Sequence, residues 1–166
     1  MSDIKTLISE GGSTEEALAA FDSLEPVDLN FMQGRWRGAG IPTQHPMDGL
    51  LEAYGWYGKA FESTESVHPL LFGSQGQHCM EPFPLMASMG LMGERVAHSR
   101  IMQVCFKLFA PMLRTKQPRA RLRLTEVRGK LTATMIYDGL PINDVFVKVD
   151  EDTVMGLMDL LSLIHI

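Results

Sequence analysis

The chain has 166 residues, 45% of them hydrophobic and 21% charged, which suits one globular domain able to bury roughly 70% of its unfolded surface. A net charge of −5 argues against nucleic acid or an anionic membrane as the main partner. No basic N-terminal region leads into an apolar run, and Cys79 and Cys105 lie far apart without CxxC spacing, so a secretory signal, a zinc site and a disulfide framework are not expected and a reducing, cytoplasmic setting is.

Residues 3–10 suit a short helix ended by Gly11-Gly12. Ser13 with Glu16 three residues on forms a capping box, and Ala17, Leu18, Ala20, Phe21 and Leu24 follow at helical spacing until Pro26. A first strand is expected from about Asn30 to Ala39. It contains Gly34-Arg-Trp36-Arg-Gly38, a large indole set among glycines, which predicts a strand that curls while its ring plugs one end of the sheet. From Met47 to Phe61, Leu50, Leu51, Tyr54, Tyr57 (or Trp56) and Phe61 recur at three and four and predict a helix, although Gly49, Gly55 and Gly58 interrupt it. His68 to Phe72 reads as extended, and Gly73 to Gly76 as a turn.

Cys79 to Gly93 is a connecting region whose Met80, Met86, Met89 and Met92 offer an adaptable apolar surface. A second helix is expected from Glu94, ending near Pro111. The stretch Ile101 to Leu113, broken by Gln103, Lys107 and Pro111, is too short to span a bilayer, so no stable membrane insertion is expected. With Arg100, Lys107 and Arg114 it could rest on a membrane surface, but a buried helix is the favoured reading. The last third alternates. Ala120, Leu122 and Leu124 share one face of a strand and Arg119, Arg121 and Arg123 the other; strands at Lys130–Tyr137, Ile142–Val149 and Thr153–Met158 complete an antiparallel meander.

Leu161-Ser-Leu-Ile-His-Ile166 is what one frame of CTG TCT CTT ATA CAC ATC encodes, the reverse complement of a transposon end used to build sequencing libraries. Native coding sequence is therefore expected to stop near Asp159 or Leu160, leaving a truncated protein with a non-native tail at 160–166 and His165 without functional weight.

Gly34-Arg-Trp36-Arg-Gly38, His45-Pro46 and Gly55-Trp56-Tyr57-Gly58 together resemble the GXWXG-domain family. Lys116 to Arg123, Ala133 to Asp138 and Leu140 to Asp144 resemble the domain of unknown function that usually follows it. The resemblance implies a bacterial-type uncharacterised protein, supplies no catalytic residues, and implies a further apolar strand beyond Met158-Asp159. A looser similarity links the Gly-x-Trp motif to calycin (lipocalin-like) barrels, although Gly40-Ile-Pro-Thr departs from the haem-binding pattern.

The fold class expected is α+β: a curved antiparallel sheet, a partial calycin-like barrel, covered by two or three helices. Residues 1–23 form an N-terminal helical segment. A GXWXG-type region at 24–93 and a helix plus meander at 94–159 share one structural domain.

Trp36 suits the core, while Trp56 and Tyr57 could line a cavity. His45, His68, His78 and His98 never fall into metal-ligand spacing, so no metal or other cofactor is expected; His45 and His68 each precede a proline. Asn143 and Asp144 open a strand otherwise apolar on both faces, so an inward-facing one needs a partner. The candidate ligand-binding set is Trp36, His45, Trp56, Tyr57, His68, Tyr137, Asn143 and Asp144, without an assigned catalytic residue. The expected function is binding of a small apolar or amphipathic molecule between sheet and helices. The rival is an enzyme using His45 or His68 with Asp144 or Asp138 as an acid–base pair.

Overall fold

Ser13 and Glu16 close the capping box in the computed structural model, which describes residues 4–45, 48–82 and 99–160. Pro46, Met47, Met86, Met89, Met92, His98 and the 161–166 tail lie outside the described residues. The Glu16 amide donates to Ser13 Oγ at 3.1 Å and the Ser13 amide to Glu16 Oε2 at 2.8 Å, an arrangement worth about 1 kcal/mol. It starts helix α2 (Thr14–Ser23), which follows α1 (Ile4–Glu10). Leu7 of α1 and Phe21 of α2 are buried against Val145, Val147 and Met155 of the sheet. Arg128 holds α2 from the far side through two hydrogen bonds to the Asp22 carboxylate.

The sheet is antiparallel throughout and draws on both halves of the chain. Its strands are β1 (Glu25–Pro26), β2 (Gly34–Arg37), β3 (Trp56–Phe61), β4 (Val67–Phe72), β5 (His78–Cys79), β6 (Ala120–Val127), β7 (Lys130–Tyr137), β8 (Ile142–Lys148) and β9 (Val154–Leu160). The order is β1-β8-β7-β6-β4-β3-β2, with β9 on β8 and β5 on β4. A pairing of Val67 with Ala120 joins the N-terminal strands to the meander. Strand β1 takes over the edge of β8 where β7 leaves it, and the Thr132 hydroxyl fills the gap, donating to Phe146 O at 2.6 Å and accepting from Val27 N at 2.9 Å.

The sheet curls into a half-barrel. Its two terminal strands, β2 and β9, both contribute walls to one cavity. Alternation along β8 and β9 sorts the residues: Asp144, Phe146, Val154 and Gly156 face the cavity, whereas Val145, Val147 and Met155 face α1 and α2. The central core of Met32, Phe61, Val67, Leu122, Met135 and Phe146 fills the rest of the concave side.

Two expectations in the first half of the chain need correction. The helix expected from Met47 to Phe61 is a single turn, α3 (Leu50–Ala53), followed directly by strand β3. Gly58 decides this: at φ +151° it is outside helical space, and a Cβ there would collide with the Trp36 carbonyl oxygen on the neighbouring strand. The first strand is also shorter than Asn30–Ala39, because a turn closed by Gln33 N to Asn30 O precedes β2.

The second helix is α4 (Arg100–Phe109), capped by Ser99 Oγ and continued by a tighter 3-10 turn (Ala110–Leu113) that absorbs Pro111. It is not a buried helix. Phe106 packs edge-on against Tyr54 at 5.0 Å and tilted against Phe72 at 5.5 Å. On its other side Ile101, Leu108 and Met112 are 75%, 71% and 81% exposed. The arginine face of β6 points outward as expected, Arg119 pairing with Glu81, Arg121 with Asp138 and Arg123 with Glu65; exposed pairs of this kind add little stability.

Candidate functional site

A cavity of about 440 Å³ lies between α3, the β2–β3 wing and the β8–β9 wing, within the usual range for small-molecule sites. Its position follows from an irregularity in β3. Simple alternation would place Trp56 and Lys59 on opposite faces of a strand. Register shifts on either side of Gly58 bring both onto the cavity wall. Gly38 of the motif lies beneath Trp56, and a Cβ there would run into the six-membered ring of the indole. The motif therefore makes a bed for the second tryptophan while carrying the first.

Trp36 is a structural post in this wall. Its Nε1–H donates to Met32 O at 2.8 Å and its ring sits 5.8 Å from that of Phe31. Trp56 differs: its buried Nε1–H has no hydrogen-bond partner, a rare condition for a buried donor.

The polar pole of the cavity is an ion pair. Lys59 Nζ lies 2.8 Å from Asp144 Oδ2, with side chains only 15% and 10% exposed. The ammonium also sits 5.5 Å from the Trp56 ring and 5.8 Å from the Tyr137 ring, within cation–π range. Burial pulls its pKa down, but Asp144 and Tyr137 outweigh burial and hold it above the ordinary lysine value. Burial, with a smaller push from Asp144, drives the Tyr137 hydroxyl up to about 12 against the opposing pull of Lys59. At neutral pH the pole thus presents a charged lysine rather than a nucleophilic amine, and a phenol able to donate.

Of the sequence-derived candidates, Trp36, Trp56, Tyr137 and Asp144 converge on the cavity. His45, Tyr57, His68 and Asn143 are not among the residues that line it. His45 is exposed and its backbone amide bonds to Asp48 Oδ2. Buried His68 lies 3.8 Å from Glu62. Tyr57 is displaced by the irregularity at Gly58 and stands over Gly76. Asn143 faces away from its neighbour Asp144, opposite Ile136 and Asp159. Lys59 was missed. The available signal was a single charge inside the aromatic run Trp56-Tyr-Gly-Lys-Ala-Phe61, concealed by reading that run as helix.

The fold and cavity define an α+β half-barrel with a lined interior and a charged pair at its pole. Residues 19–76 match the GXWXG protein family and residues 118–163 match a domain of unknown function (DUF4334). The chain is similar to a protein from Thermomonospora curvata known by its crystal structure, at 30% identity and a TM-score of 0.62, over 95% of this chain and 86% of that one. This chain belongs to the GXWXG family, carrying the accompanying DUF4334 domain. A search of curated proteins returns no match. Among the described residues no helix is long and apolar enough to cross a membrane.

Proposed function

We propose that this protein binds a small, mainly apolar molecule in the half-barrel cavity. The observation that carries the reading is the cavity itself: about 440 Å³ walled by side chains such as Leu51, Leu70, Ile142, Phe146 and Val154, with the Lys59–Asp144 pair at one pole. Apolar walls with a few convergent polar groups are the usual make-up of a ligand site. Neither His45 nor His68 is among the residues that line the cavity, so the cavity supports binding ahead of the pairing of either histidine with Asp144 or Asp138 as acid and base.

The test uses N-phenylnaphthylamine, an uncharged dye that brightens in apolar surroundings. Wild type is expected to bind it saturably, and native mass spectrometry to find one molecule per chain. Val154→Trp places bulk on the cavity wall from a half-buried strand position and should weaken dye binding at least tenfold, about 1.4 kcal/mol, with the fold retained by circular dichroism. Absence of saturable binding to wild type, or equal binding to a folded Val154→Trp, overturns the reading.

A further inference from the structure

We infer that the cavity selects uncharged molecules carrying an oxygen acceptor, such as esters or ketones, over carboxylates of the same chain length. The inference rests on the binding function proposed above and specifies the chemistry of its occupant.

Three features carry it. The cation at the pole is already committed: Lys59 lies 2.8 Å from Asp144, so an entering carboxylate would meet a neutralised pair and a like charge together. Burying an uncompensated charge is far costlier than burying a carbonyl that accepts a hydrogen bond. Three acidic side chains, Asp48, Glu52 and Asp152, line the cavity against one base at its rim, Arg37. Asp48 and Glu52 are fixed in place, accepting from Thr43 N at 2.7 Å and Gly40 N at 2.6 Å respectively. This arrangement repels an anion before it reaches the pole.

The third feature is the donor supply. The Tyr137 hydroxyl, whose ring lies 5.8 Å from the Lys59 ammonium, stays protonated at neutral pH and can donate. Tyr137 lines the cavity beside the pair. A neutral carbonyl oxygen accepts from such donors without bringing a charge that must be desolvated.

Displacement of N-phenylnaphthylamine at neutral pH by methyl decanoate and by decanoate reads the preference directly. The ester is expected to displace the dye at least tenfold more effectively than the acid. Asp144→Asn leaves Lys59 unpaired and should reverse the order, with decanoate becoming the better competitor. Tyr137→Phe removes that donor and should reduce the ester-over-acid ratio about fivefold; it keeps the inference testable if Asp144→Asn does not fold. Decanoate equal to or better than the ester on wild type overturns the inference while leaving the binding function standing. Failure of the dye itself to bind overturns the binding function instead.

Discussion

The cavity pole and helix α4 are opposite departures from the rule that apolar groups go inside and charges outside. At the pole a lysine and an aspartate are nearly buried, 2.8 Å apart. On α4 and the 3-10 turn that continues it, Ile101, Leu108 and Met112 stand largely in solvent. The first departure is compensated locally, since each charge meets its opposite and the aromatic rings of Trp56 and Tyr137 flank the ammonium. The second has no comparable compensation, and none is required: an exposed apolar side chain forgoes a gain, whereas an unpaired buried charge incurs a penalty. The two regions should therefore respond to mutation with very different force.

Breaking the ion pair is the most damaging change. Lys59→Met or Asp144→Leu alone leaves the partner charge buried and should cost about 3–5 kcal/mol in urea denaturation. The double replacement Lys59→Met with Asp144→Leu should recover most of that loss; two additive losses would show that the residues do not act as a pair. On α4 the inner and outer faces offer a matched contrast. Phe106→Ala removes the ring that touches Tyr54 and Phe72 and should cost roughly 2 kcal/mol. Leu108→Gln, on the exposed side, should change stability by less than about 0.5 kcal/mol.

The pH response sharpens the comparison without altering packing. Lys59 and Tyr137 both have pKa values raised by folding, Tyr137 from 10.0 to about 12. The native state then retains protons that the unfolded chain releases, so their contribution is complete below pH 10 and is lost as pH rises towards 12. Denaturation midpoints should fall across that alkaline window and fall less steeply in Tyr137→Phe. Absorbance titration of that variant should also lose the latest-ionising tyrosine.

The meander was legible because β6 alternates cleanly and turn residues at regular spacing bound the strands that follow it. Asp144 was conspicuous for the opposite reason, as a charge in a strand otherwise apolar on both faces. The stretch from Met47 to Phe61 was misread because Leu50, Leu51, Tyr54, Tyr57 and Phe61 satisfy helical spacing by coincidence. The deciding contact, Gly58 against the Trp36 carbonyl, is made with another strand and has no local signature. Lys59 was hidden for a related reason: its inward direction depends on register shifts in the β3–β4 ladder. On α4, spacing identified apolar positions but could not say which of them would meet a surface.

The half-barrel never closes. Strands β2 and β9 form opposite sides of the cavity, and among the described residues no ladder joins them. Under the binding function proposed above, a guest would pass between two margins by flexing of the wings, without unzipping any backbone pairing. Uptake would then be a matter of elastic bending, governed by how stiffly the central strands carry the wings.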